Sequence, residues 1–456
     1  MGTTEEIAKF VVSTDFRIIP EEAVTRSKIM FLDIVGVALA GTVVEETGKI
    51  AMNYIKEIGG VPEATIIGGG YQTSAPNAAF GNGILAHALD FDDWDPTGGH
   101  PSAMLVAASV ALGEKFGLPG KVLIEAYITG LEVFDKIAAG CPDAQKRGWH
   151  ATTIFGTMGA TAAAAKLLGL DVQQTIMAFG IAASAASGIA RQHGTMAKPF
   201  QVGNAARNGV EASLLAKYGF TGDKAIIENP KGFCDTFLGE GACDYGKMIE
   251  NLGRPFHIVS PGVGIKFYPC RYPEFRMIDA ILELRREHRF TYDDIQRVEI
   301  RVASRKIKTT ILDPGTGLEG KFSSKYIAAA ALLDGEVTLS TFTDEKVQHP
   351  KIKEAMSKIE LVPDATIPDK WIRSRTPVTV TLKDGRTLTK QVDMPSGDPR
   401  RPFVIKDVIA KFRSNVSLVL TGEQVERSCH LLQNLDQLKD LRELMSLLIN
   451  PPGSRF

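Results

Sequence analysis

The sequence has no CxxC pair. Its five cysteines, Cys141, Cys234, Cys243, Cys270 and Cys429, are odd in number and far apart along the chain, which argues against a disulfide framework and against a zinc site and favours a reducing compartment. Nor is there a surplus of either charge. Lys plus Arg total 52 and Asp plus Glu 53, so the balance points to neither nucleic acid nor an anionic membrane, and any anion binding has to be local. Long apolar runs are also missing. The most apolar early stretch, residues 29 to 40, is too short to span a bilayer and contains Asp33. The opening MGTTEEIAKF is acidic where a signal peptide is basic, so a cytoplasmic protein without membrane insertion is expected. Gly68 to Gly70 form neither a GxGxxG nor a Walker pattern, which removes the argument for a nucleotide.

What is present is a chain of 456 residues with 44% hydrophobic content, long enough for two domains. Up to residue 264 it reads as helix after helix, beginning with a capping-box pattern from Thr3 to Glu6 ahead of Ile7, Phe10 and Val11. Residues 152–170 and 178–190 are rich in Gly and Ala, the composition of helices inside a bundle. The texture changes at Ile265. A helix-like IDAILELRREH precedes the alternating VEIRV of residues 298–302, and KYIAAAALLDGEV returns to helix. Residues 377–392 alternate on both sides of Asp384 and Gly385, a hairpin signal that predicts positive φ at the turn. PSGDPRRP, 395–402, breaks structure, and helical patterning resumes to 449. The expected fold is mainly α with an α+β part: a large helical domain over 1–264, a smaller α+β domain over 265–402, and helices over 403–456 returning to the first domain.

Three segments could carry chemistry. HALDFDDWDPTGGHPSA, 87–103, gathers four aspartates and two histidines in a turn-rich stretch. A solvated acidic loop and a functional loop weigh about evenly for it. A calcium loop fails because its twelfth position is Met104, and zinc held by His87 and His100 has no recognised ligand spacing, so no metal is expected. In residues 194–222, Lys198 and Pro199 lead into a small-residue helix; a lone lysine there reads as a surface charge on pattern alone. In IKFYPCRYPEFRMIDA, 265–280, Lys266, Tyr268 and Arg271 crowd around prolines, cationic and phenolic donors suited to a carboxylate. Cys270 has no accompanying nucleophile signature and reads as an inert thiol.

Taken together and in order, NGILAHALDFDD with GHPSA, RGWHATTIFGTMGATAAAAKLLGL, GTMAKPFQVGNAARNGVEASLLAKYGFTG, KFYPCRYP, GKFSSKYIAAAALLDG and GDPRRP resemble the MmgE/PrpD family along nearly the whole chain. That family includes 2-methylcitrate dehydratase, cis-aconitate decarboxylase and iminodisuccinate epimerase. The resemblance implies a large helical domain with a smaller α+β lid, a homodimer, and a cofactor-independent site between the domains for a small polycarboxylate. It places Asp90, His100 and Lys198 in the site, with His150 and Tyr326 lining it. Asp93, Lys266, Tyr268 and Arg271 join them on chemical grounds. Three departures stand out: Trp94 where a threonine is common, Gln201 where a histidine often follows KPF, and Phe275 where many members carry a histidine.

Removing a proton next to a carboxylate calls for a tuned base and for cations facing the enediolate-like charge. His100 is expected as the principal acid/base and Asp90 as its orienter or a second base, with Lys198 and Arg271 as anchors or electrostatic stabilisers. Dehydration is the leading reading. Epimerisation of an iminodisuccinate-like diacid and cis-aconitate-type decarboxylation share the same toolkit. A catalytically silent carboxylate-binding module is the reading from another class.

Overall fold

The computed structural model describes residues 2–368, 375–401 and 404–449. It divides into one unit formed by Met1–Ile265 with Val404–Phe456 and a second formed by Lys266–Phe403. The expected junction at 402 and 403 falls on residues outside the described ones.

The first unit is a helical bundle. Its long helices are α1 (Thr3–Ser13), α2 (Glu21–Gly41), α3 (Glu46–Ile58), α4 (Ala75–His87), α5 (Ser102–Phe116), α6 (Gly120–Gly140), α7 (Ala151–Leu167), α8 (Val172–Ala185) and α9 (Ala197–Lys217). Helices Ile405–Val416 and Gly422–Gln433 lie against α2. As the Gly/Ala composition predicts, α7 is buried along nearly its whole length. The helix pairs α4/α9, α6/α7 and α7/α9 are the closest neighbours. Between α4 and α9 the approach is backbone to backbone. A Cβ on Gly83 would stand 2.8 Å from Gly203 Cα, and one on Gly203 would stand 2.3 Å from the Phe80 carbonyl oxygen. Only glycine fits at that crossing, and the crossing brings the end of α4 to the start of α9.

Two details depart from expectation. The capping box at the start of α1 does not form, because Gly2 is the cap residue and Thr4 donates from both its amide (3.1 Å) and its hydroxyl (2.5 Å) to Glu228, 224 residues away. A distant carboxylate has replaced the local cap. The run of helices also thins after α9, where residues 218–263 hold only short helices such as Phe233–Leu238 and Tyr245–Ile249. Among the described residues no single helix is long and apolar enough to cross a membrane; α2 and α3 pass that test only as a pair bent by 86°.

In the first unit two short ribbons join β1 (Ala64–Thr65) to β2 (Gln72–Thr73) and β3 (Asp93–Trp94) to β4 (Gly264–Ile265), both antiparallel. The second unit is α+β. Its four-stranded sheet has the order β6 (Ile359–Pro363), β5 (Ile295–Val302), β7 (Val378–Leu382), β8 (Thr387–Lys390), with β5 and β6 parallel and the other pairs antiparallel. Alternating burial along β7 puts Val378, Val380 and Leu382 on the inner face, against helix Phe275–His288. The β7–β8 hairpin forms where the sequence places it, and Gly385 alone among its turn residues takes positive φ, 89°.

Candidate active site

The site in the first unit is built on the loop between α4 and α5. Helix α4 ends at His87, and Asp90 then takes a φ of 51°, a conformation that aspartate tolerates better than most residues but that still costs about 1 kcal/mol or more. This bend turns the chain into β3, whose pairing with β4 (Asp93 opposite Ile265) fixes the middle of the loop. The Asp95 amide donates to the Gly99 carbonyl at 3.0 Å and closes the turn leading to His100.

The reading of residues 87–103 as a solvated acidic loop is overturned. Asp90, Asp92, Asp93 and Asp95 are all buried, none more than 4% exposed. A buried carboxylate without a partner is strongly unfavourable, and here each one has its own. Lys198 Nζ donates to Asp90 Oδ1 at 2.7 Å. His87 Nδ1 lies 2.7 Å from Asp92 Oδ2. Asp93 Oδ2 accepts from the Ser102 amide at 2.9 Å and the Ser102 hydroxyl at 2.5 Å. Asp95 Oδ2 lies 2.6 Å from His257 Nε2.

Asp93, expected among the substrate-binding groups, is therefore turned to the first turn of α5, where it holds the helix N-terminus. Burial, then the neighbouring Asp92, pushes its carboxyl well above the usual carboxylate range. His257 lies between two carboxylates, Asp95 on one nitrogen and Asp135 at 2.7 Å on the other. Burial alone would lower its pKa, but the two anions outweigh it and raise the imidazole well above its ordinary value. His257 is thus a cation inside the fold, anchoring the loop to α6.

His100 and His150 are arranged differently. The Nδ1 of His100 lies 2.6 Å from the Asp93 carbonyl. A carbonyl only accepts, so Nδ1 carries the hydrogen and Nε2 is the basic nitrogen. His150 sits just before α7, its ring 5.1 Å from that of His193. Its Nδ1 is 2.7 Å from Gln201 Oε1, and the Gln201 amide nitrogen donates to the Ile189 carbonyl at 3.2 Å, which fixes the amide with its oxygen toward the imidazole. His150 too presents Nε2 as its basic nitrogen. Burial, followed by His193, Lys198 and His87, lowers its pKa well below the ordinary value, so it is neutral at neutral pH. Lys198 and Gln201 lie three residues apart on α9, on one helix face. The His87 and His100 rings are 5.0 Å apart, and His87, Asp92 and His100 hold three donor atoms within 4.8 Å of one another, a set that could also take a cation.

The structure thus brings Asp90, His100, His150 and Lys198 into one neighbourhood. Sequence reasoning weighed His87 only as a zinc ligand and left out its pairing with Asp92, and it noted Gln201 only as a departure. Asp92 lies five residues beyond His87, a local spacing that could have been read; the pairing of His150 with Gln201, 51 residues apart, carries no sequence signal.

The remaining expected site residues belong to the second unit. Lys266 is fully buried. The Tyr268 hydroxyl donates to Asp279 at 2.6 Å, and burial and that carboxylate push it far above the usual phenol range. Arg271 donates from Nε to Glu274 at 2.7 Å and from its terminal nitrogens to the Thr309 carbonyl and the Ser324 hydroxyl at 3.1 and 3.4 Å. Glu274, itself wholly buried, also pairs with Lys306 at 2.9 Å. Tyr326 is fully buried and donates its hydroxyl to the Thr341 carbonyl. Of the departures, Phe275 is enclosed between the rings of Tyr268 and Tyr272, at 5.0 and 5.2 Å, and Trp94 is 2% exposed. Each fills interior space in its own unit.

Residues 5–245 match the MmgE/PrpD N-terminal domain and residues 268–437 the MmgE/PrpD C-terminal domain. The chain is 30% identical to the cis-aconitate decarboxylase of Mus musculus, an alignment covering 99% of this chain and 94% of the relative. It is 31% identical to that of Homo sapiens, covering 98% and 95%. A probable 2-methylcitrate dehydratase of Saccharomyces cerevisiae is 24% identical over 97% of this chain and 87% of the relative.

Proposed function

The chain belongs to the MmgE/PrpD family, and from that premise we propose that it is a lyase acting on a small polycarboxylate, with an unsaturated tricarboxylate of the cis-aconitate kind as its leading substrate and loss of carbon dioxide as its leading reaction. The observation that carries the reading is the grouping of a buried Lys198–Asp90 pair with two imidazoles, His100 and His150, whose Nδ1 hydrogens are both committed to oxygen acceptors. Such a set offers a fixed cation for a carboxylate and oriented nitrogens for moving a proton.

In the decarboxylation, the bond between carbon and the departing carboxylate breaks. Its electron pair is delocalised toward a neighbouring carboxylate, where Lys198 faces the developing charge. His100, having first taken a proton from water on Nε2 to become the imidazolium, then gives that proton to carbon and returns to the neutral ring. His100, less deeply buried than His150, is the imidazole suited to exchanging that proton with water between turnovers.

Dehydration is the second reading, and the neutral state of His150 favours it. A neutral imidazole with its Nε2 lone pair is a base, able to take a proton from carbon next to a carboxylate, after which a β-hydroxyl given a proton by His100 in its imidazolium form leaves as water. Decarboxylation delivers a proton to carbon, and dehydration removes one. Dehydratase-named relatives stand at 24–25% identity against 30–31% for the mouse and human decarboxylases, which supports placing decarboxylation first.

The test is NMR of the purified enzyme in deuterium oxide with 13C-labelled cis-aconitate and, separately, 2-methylcitrate. Labelled carbon dioxide with one deuterium entering the product supports decarboxylation. Water loss from 2-methylcitrate with no carbon dioxide supports dehydration. Exchange without net conversion points to an epimerase, and neither exchange nor turnover with the panel overturns the lyase reading.

A further inference from the structure

The cysteines that are scattered in the sequence do not stay scattered. Cys141 lies just past the end of α6, Cys234 is in the short helix Phe233–Leu238, and Cys243 precedes helix Tyr245–Ile249. Their sulfurs converge: Cys141 Sγ is 3.9 Å from Cys234 Sγ and 3.1 Å from Cys243 Sγ, and all three fall within 4.8 Å of one another. Cys270 and Cys429 are not part of the cluster.

We propose that Cys141, Cys234 and Cys243 form a binding site for a thiophilic divalent cation of the zinc class, separate from the candidate active site. Thiolates on a tetrahedral zinc sit at about 2.3 Å from the metal, which sets their sulfurs roughly 3.8 Å apart. The observed separations bracket that value, and the Cys141–Cys243 contact opens slightly on binding. A buried cysteine by itself is an ordinary small apolar residue, and a pair would suffice for a disulfide. Three sulfurs from three separate elements meeting at one point match a coordination set. Cys141 and Cys234 are 2% and 1% exposed, whereas Cys243 is only half-buried. That side gives the ion its entry and leaves a fourth position for water.

The consequence is structural. The Asp244 amide donates to the Gly140 carbonyl at 2.9 Å, already joining the chain on either side of the Cys141–Cys243 contact. Trp149 Nε1 donates to the Phe237 carbonyl at 2.8 Å. An ion held by the three thiolates ties together the end of α6, the Phe233–Leu238 helix and the loop at 243. The segment leaving Cys141 runs directly to Trp149 and His150, so the cation acts as a clasp on the approach to that imidazole. This reading stands whether or not the proposed reaction is correct, because its readout is the metal.

The experiment is a titration of the reduced, chelator-stripped full chain with Cd2+, followed by near-ultraviolet thiolate-to-metal absorption, and with Zn2+, followed by thermal unfolding. The expected result is saturation at one ion per chain and an unfolding temperature several degrees higher with Zn2+ than with chelator. Cys141→Ser, Cys234→Ser and Cys243→Ser each remove most of the absorption band, while Cys270→Ser and Cys429→Ser keep it. No band in the wild-type chain overturns the proposal, and so does a band that survives in the Cys141→Ser/Cys243→Ser double variant. A reduced chain that takes up no ion but forms a Cys141–Cys243 disulfide on mild oxidation assigns the trio to redox chemistry instead.

Discussion

The loop after α4 and the segment after β4 both bury a dense set of charges, and they neutralise them with different chemistry. In the first, carboxylates meet imidazoles and one lysine: Asp92 with His87, Asp95 with His257, Asp90 with Lys198. In the second, Arg271 and Lys306 converge on Glu274, and the phenols of Tyr268 and Tyr272 face Asp279 and Asp398. Burial would raise the Glu274 carboxyl, but Lys306 and Arg271 outweigh it and hold it below its usual value. The Tyr268 and Tyr272 hydroxyls are pushed far above theirs, chiefly by burial. No side chain of that set has an ordinary pKa near neutrality. An imidazole does, so the first region has the means to pass a proton and the second has the means to hold a fold. Density of polar residues, equal to the eye in the two segments, does not separate a reactive site from a structural one; the kind of partner does.

The largest effect that would sharpen this contrast is at Lys198. Lys198→Ala is expected to lower kcat by at least about a thousandfold. It also removes the cation paired with the buried Asp90 carboxylate, at a cost of roughly 3–5 kcal/mol in stability. Steady-state kinetics and denaturant unfolding of one preparation read both, and unchanged kcat in folded protein would break the assignment. In the second region, Glu274→Gln should cost about 3 kcal/mol or more in stability, because it leaves two cations facing a neutral amide, while the pH profile of the folded fraction keeps its shape. A shifted profile there would erase the distinction drawn above. His100→Gln should lower kcat by about a hundredfold or more with little change in unfolding temperature.

Two buried histidines should tilt stability in opposite directions with pH. The pKa of His257 is raised in the fold. Its contribution is fully present below the unfolded value of about 6.5 and is lost as pH rises through the folded value. His150 is lowered, so the fold is penalised as pH falls below about 6.5 and the unfolded chain takes up the proton. Thermal unfolding between pH 5 and 9 should show His257→Asn flattening the alkaline side and His150→Asn the acid side. The smallest expected effect is at Gln201. Gln201→Glu gives the His150 Nδ1 hydrogen a charged acceptor, which should raise the His150 pKa and move one limb of the kcat/KM profile upward by about one pH unit.

Much of this was legible in the residues. The helix periods, the 298–302 strand and the Asp384–Gly385 hairpin are local patterns, and local patterns carry through to structure. The grouping of Asp90, His100, His150 and Lys198 followed from a resemblance that spans the chain. What stayed hidden were partners set by tertiary contact. Asp95 meets His257 across 162 residues, Thr4 meets Glu228 across 224, and Cys141 meets Cys243 across 102. No spacing rule reaches that far. The same limit explains why a solvated acidic loop was weighed evenly with a functional one: the partners of Asp95 and Asp90, His257 and Lys198, lie outside the loop's own sequence.

Helix α9 bears Lys198 and, one turn on, Gln201, and it crosses α4 at the glycine pair Gly83 and Gly203. That crossing leaves no side chain to cushion the two backbones. A tilt of this single element would stretch the ammonium–carboxylate contact and loosen the amide that sets the His150 tautomer in the same movement. The Lys198–Asp90 and Gln201–His150 contacts thus ride on one helix, and a displacement of that helix would alter both at once.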